Sequence, residues 1–166
     1  MNDTLKKWLL YGGGLLLAWG VDALVLPRLD LWAMPVLLPL CVAAAAVLEG
    51  AFTGAQFGML AGLVWGLAYA GASPFRIPLL TLTGMVCGAV TQYALRRSLS
   101  GCMVCAAGTM GALSLLNVLG GIITGLAEPG ALVLTALKES AVSLLCAPIV
   151  YGVFYWIYRR AGGKPV

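Results

Sequence analysis

An all-α, polytopic membrane protein of six transmembrane helices is the fold class the sequence predicts, and three observations predict it. The 166 residues are 61% hydrophobic and 10% charged, where soluble domains carry about 25% charged residues. At about 20 apolar residues per crossing, this length holds six helices with very short connections and no soluble domain on either side. Gly50, Gly54, Gly58, Gly62 and Gly66 recur at every fourth position, a spacing suited to helices pressed together in lipid. The expectation is one integral membrane domain over residues 1–166, a small-residue-packed bundle with helices at about 5–26, 35–48, 51–70, 78–95, 101–126 and 136–158.

Helix 1 follows a short polar start with Lys6 and Lys7 and ends at Pro27. A signal peptide would begin similarly, but this apolar run is long and Ala18-Trp19-Gly20 is a poor cleavage site, so the segment is expected to stay. Pro35 opens helix 2, which passes Cys41 and the run Ala43 to Ala46 to end at Leu48. It is short for a full span. Glu49 and Gly50 leave almost no loop, which makes helices 2 and 3 a tight antiparallel hairpin.

The glycine series of helix 3 starts at that corner. Four residues overshoot one turn by about 40°, so the glycines form a slowly winding ridge of bare backbone. Each exposed glycine would cost a water-facing helix about 1 kcal/mol against alanine. Five in one helix make sense where another helix covers them, gaining close approach and Cα–H···O contacts. Pro74, Arg76 and Pro78 break the chain before helix 4, which carries its own pair, Gly84 and Gly88, and stops at Arg96 and Arg97. Helix 5 passes Gly108, Gly111 and Asn117 and fades before Glu128-Pro129-Gly130; helix 6 ends in Arg159 and Arg160.

With an inside start and six crossings, Lys6, Lys7, Arg96, Arg97, Arg159, Arg160 and Lys164 fall inside, while Arg28, Arg76 and Lys138 fall outside. That distribution obeys the positive-inside rule and puts both termini in the cytoplasm. Trp8, Tyr93, Trp156 and Tyr158 fall near inner ends, as an aromatic belt would. The net charge of +4 is scattered over helix ends, which argues against nucleic acid as a partner.

Chemistry has few candidates. The chain has no histidine, so the commonest general base and the commonest metal ligand are both missing. Cys102 and Cys105 form a C-x-x-C, a spacing found in thiol exchange. At a predicted cytoplasmic helix start with no second pair, it reads more simply as helical geometry. Cys41, Cys87 and Cys146 read as small apolar packers. Asp22 lies in the outer part of helix 1, where an ionised group needs a partner or water; it either reaches the outer interface or contacts Arg28 or Arg76. Glu49 either faces inner water at the hairpin corner or contacts Arg96, Arg97 or a partner. Gln92 and Asn117 are expected to hydrogen-bond between helices. No catalytic, cofactor-binding or metal-binding set emerges, and no cofactor is expected.

Several ordered motifs resemble the rod shape-determining protein MreD family. They are Leu26-Pro27-Arg28-Leu29 before a turn, Pro35 opening helix 2, Leu48-Glu49-Gly50, Gly54-Ala55-Gln56-Phe57-Gly58 with Ala61-Gly62-Leu63, and Ala147-Pro148-Ile149-Val150-Tyr151 ahead of Arg159-Arg160. The similarity runs over about residues 5–160. Val36 and Gly66 stand where the family often has acidic residues, which leaves Asp22 and Glu49 as the carboxylates at the membrane edges. The resemblance implies a six-span protein of the bacterial plasma membrane, similar in fold to the substrate-binding subunits of energy-coupling-factor transporters. It further implies a non-enzymatic adaptor of the cell-elongation machinery, accompanying an MreC-like membrane protein and linking MreB to the enzymes of lateral wall (peptidoglycan) synthesis. The alternative is a substrate-binding subunit of a vitamin transporter, for which Trp32, Asp22, Tyr69 and Arg76 would have to supply the ligand contacts.

Overall fold

The computed structural model describes residues 3–25, 28, 35–68, 75–93, 98–124 and 129–160, and among them every regular element is helical. Helix α1 spans Asp3–Gly20 and continues as a π-helical turn, Val21–Val25; α2 spans Leu37–Glu49, α3 Ala51–Ala68, α4 Arg76–Tyr93, α5 Leu99–Thr124 and α6 Pro129–Arg160. The largest departure from the expected boundaries is α6, which begins at Pro129 and not near residue 136. Proline has no N–H to lose in the first turn and its fixed φ suits a helix start. The segment that reads as a break is therefore the beginning of the helix.

Two stretches, Leu99–Ile123 in α5 and Gly130–Arg160 in α6, are long and apolar enough to cross a membrane. Trp8–Leu24, Leu37–Glu49 and Ala51–Leu67 are apolar but shorter. Many large apolar side chains face outward among the described residues: Leu17, Phe52, Leu67, Ile123 and Leu145 are each 73–87% exposed. Surface of this kind is consistent with a membrane protein.

The shortest of these helices is the centre of the molecule. At 13 residues, α2 is about 20 Å long, against about 30 Å for a bilayer's hydrocarbon core. Every residue from Leu38 to Leu48 is buried, and α1, α3, α4, α5 and α6 all pack against it. A helix apolar on all sides has no face to offer water, so it sits in the interior. Its four consecutive alanines, Ala43 to Ala46, keep it thin enough for five neighbours to close round it.

The α2–α3 corner depends on Gly50. Its φ of 98° is in the region that disfavours any side chain. There its N–H bonds the Ala46 carbonyl while its own carbonyl accepts the N–H of Gly54, each at 2.9 Å. One residue thus closes α2 and opens α3.

Candidate functional site

Backbone meets backbone along the α3–α4 seam. A Cβ on Gly54 would stand 2.6 Å from the Gly84 carbonyl oxygen and 2.7 Å from the Ala46 methyl. On Gly58 it would collide with the Leu80 carbonyl, on Gly62 it would lie 2.8 Å from the Ile77 Cα, and on Gly88 it would strike the Ala51 backbone. Gly84 reciprocates against the Gly54 carbonyl, and Gly50 lies under the Gln92 side chain. Gly66 departs from the expected role, since it is exposed and a Cβ there meets nothing within 4 Å. The reason is the drift of the ridge: at about 40° for each step of four, the last glycine has turned about 160° from the first.

Both ends of α2 are tied by side chains from other helices. At its N-terminus, Val36 has no side-chain cap of its own to offer. The Val36 N–H donates to Ser143 Oγ of α6 at 2.9 Å and the Leu37 N–H donates to Asp22 Oδ2 at 3.4 Å. Ser143 is fully buried. Asp22 therefore reaches from the π-helical turn to a helix N-terminus, where an anion is favoured, and its hydrogen bond is to the Leu37 N–H and not to Arg28 or Arg76. Sequence reading missed Ser143, because borrowed capping is a relation between residues 107 positions apart.

At the other end Glu49 is half-buried and Tyr11 donates its hydroxyl to Glu49 Oε1 at 3.0 Å. Tyr11 also belongs to a ring cluster that joins α1, α3 and α6. Its centroid lies 6.1 Å from Phe57 and 5.8 Å from Phe154, and Phe57 and Phe154 meet edge-to-face at 5.7 Å. Such pairs add about 0.5–1.5 kcal/mol each beyond area burial. Arg96 and Arg97, the expected partners of Glu49, lie outside the described residues.

The cysteines pair differently from their spacing. All five are free thiols, and Cys102 and Cys105 are both buried. Cys105 engages Cys87 of α4: each thiol donates to the other's backbone carbonyl, at 3.7 and 3.8 Å, and Cys87 Sγ lies 3.5 Å from Thr109 Oγ1. The contact joins α4 to α5 and has the character of packing, as do Ser114 and Ser140, whose hydroxyls meet at 3.1 Å between α5 and α6.

Grooves run between the outer helices. One of about 530 Å³ lies between α5 and α6, lined by Met110, Gly111, Ser114, Val118, Ala136 and Ser140 among others. Another of about 520 Å³ lies where α4 begins and α5 nears its end, with Arg76 and Asn117 on its wall. There the Arg76 guanidinium sits 5.1 Å over the Trp65 ring and donates to Asn117 Oδ1 at 3.5 Å. Of the residues a vitamin-binding site would need, Asp22 and Arg76 serve different neighbours, and Trp32 and Tyr69 lie outside the described residues.

Among the described residues no three His, Cys, Asp or Glu side chains converge as a metal site would require. The polar groups that do converge bond helix to helix. Comparison with family models, curated proteins and solved structures finds no match to this chain.

Proposed function

We propose that the chain is a membrane-embedded, non-enzymatic adaptor of the bacterial cell-elongation machinery, the role its resemblance to MreD implies. In this reading it crosses the plasma membrane six times with both termini in the cytoplasm. It binds an MreC-like membrane protein and, through it, bears on MreB and lateral wall synthesis. The observation that carries the reading is α2. A transporter's binding subunit needs a chamber among its helices for a small polar ligand, whereas here the axis of the bundle is filled by a helix buried from Leu38 to Leu48. With the interior given over to packing, the surfaces left to act are the outward apolar faces, as an adaptor requires.

Depletion in a rod-shaped host tests it. Cells should widen or round while vitamin uptake stays normal, and the protein should co-purify with an MreC-like partner and not with an energising ATPase module. A reporter active only after export, fused behind Val166, should be silent. Depleted cells that keep their rod shape and acquire a specific vitamin requirement would establish the transporter reading instead.

A further inference from the structure

A cleft between the first halves of α1 and α3 holds hydrogen-bonding groups that no other helix uses. It measures about 270 Å³, with Trp8 and Tyr11 of α1 on one wall, Thr53, Gln56 and Phe57 of α3 on the other, and Ala45 of α2 as its floor. Tyr11 gives its hydroxyl to Glu49. The indole N–H of Trp8, the hydroxyl of Thr53 and the amide of Gln56 bond to no other group among the described residues. Thr53 stands apart in this from Thr81, Thr91, Thr109 and Thr135, each of which donates to the backbone carbonyl four residues earlier. In apolar surroundings an indole N–H, a hydroxyl and an amide without partners are costly, and all three can donate to an acceptor placed between them.

Their position along the helices identifies that acceptor. Trp8 and Gln56 both lie between one and two turns inside helices that begin at Asp3 and Ala51, about 7 Å from those ends. The two ends lie on the same side of the bundle, beside Glu49. In a membrane this is the level at which headgroups give way to hydrocarbon and indole rings settle. The ester carbonyls of glycerolipids lie there, as acceptors with no donor of their own. Deeper in the bundle the cleft turns apolar. Gly12, one turn on from Trp8, has nothing within 4 Å of a Cβ, and Leu60 and Leu63, which follow Gln56 on α3, are each 40% exposed. The polar end therefore faces the helix ends and the apolar trough runs toward the middle of the helices, the order in which a lipid lays its glycerol backbone and its acyl chain.

We propose that Trp8, Thr53 and Gln56 bind the ester carbonyls of a glycerolipid whose acyl chain follows Gly12, Leu60 and Leu63. Selection is for the ester linkage, since the three groups donate hydrogen bonds and carry no charge with which to sort headgroups. The site rests on the membrane-spanning arrangement proposed above and is independent of the adaptor role.

Native mass spectrometry of the full chain, released from detergent, tests it with diacyl phosphatidylglycerol, its dialkyl ether analogue of matched chain length, and diacyl phosphatidylethanolamine. The wild type should hold the diacyl lipid about tenfold more tightly than the ether, equivalent to about 1.4 kcal/mol, and should treat the two diacyl headgroups alike. Gln56 is exposed and Thr53 half-buried, so the double variant Thr53→Val, Gln56→Leu should fold, and it should bind ester and ether nearly equally. Gly12→Leu fills the trough and should weaken both. Equal binding of ester and ether by the wild type, a preference set by the headgroup, or a preference unchanged in the double variant would overturn the site while leaving the membrane-spanning arrangement intact. Binding of no lipid at all would overturn the arrangement together with the site.

Discussion

Helices α2, α3 and α4 touch through backbone, while α5 and α6 touch each other across a groove. In the first region, glycines on α3 and α4 are in contact with opposing carbonyls, and a methyl group would not fit at Gly54, Gly58, Gly84 or Gly88. In the second, Gly111 of α5 has open space where a side chain would stand, and only Gly121, farther along, is covered, by the flexible side chain of Leu132 and not by backbone. The same residue type therefore serves opposite ends. Close approach gains dispersion and weak hydrogen bonds between the backbones, so the α2–α3–α4 unit is the tightly packed frame. The groove between α5 and α6 leaves apolar surface uncovered.

The largest effect expected from breaking this contrast is at Gly58. Gly58→Leu would drive a side chain into the Leu80 carbonyl, and overpacking of this kind costs about 1–3 kcal/mol or more. Gly66→Leu, with nothing within 4 Å of its Cβ, should leave thermal stability in detergent nearly unchanged. Equal losses for the two would mean that the seam does not hold the frame together.

Ser143→Ala comes next. It removes the acceptor of the Val36 N–H at the half-buried start of α2, and a donor left unsatisfied there costs about 1 kcal/mol, the low end of the range for a buried group. A melting temperature equal to that of the wild type would show that the cap contributes nothing. The smallest effect belongs to the open region. Gly111→Leu points into the groove of about 530 Å³ between α5 and α6, and it should leave thermal stability nearly unchanged. A drop in stability comparable to that of Gly58→Leu would erase the distinction between the two regions.

Much of the frame was legible in the sequence. Glycines spaced by four announce a helix contact, and four of the five in the series, Gly50 to Gly62, make one; the fifth, Gly66, fails because its phase has drifted, a quantity the helical repeat already contains. The hairpin corner at Glu49-Gly50 was legible for a similar local reason. What the sequence does not reveal is that α2 is enclosed. An apolar run of this kind reads alike whether lipid or protein surrounds it, and the shortness of α2 was the only clue. Long-range polar ties were equally hidden: Asp22 and Ser143 at one end of α2, Tyr11 and Glu49 at the other, Arg76 with Asn117. The C-x-x-C motif drew attention to Cys102 and Cys105, yet the interhelical thiol contact joins Cys105 to Cys87. Local spacing cannot encode which helix comes to lie alongside.

Cys41 offers the most direct test of the central claim, that the bundle is packed closed around α2. This thiol is fully buried midway along the enclosed helix, whereas Cys146 of α6 is partly exposed. Purified protein can be treated with N-ethylmaleimide, a small thiol reagent that enters apolar phases, and modification followed with time by peptide mapping. Cys146 should react first, and Cys41 should stay unmodified until the protein is unfolded. Modification of Cys41 in the native protein as fast as Cys146 would contradict the account, because it would put an open chamber where a packed helix is claimed.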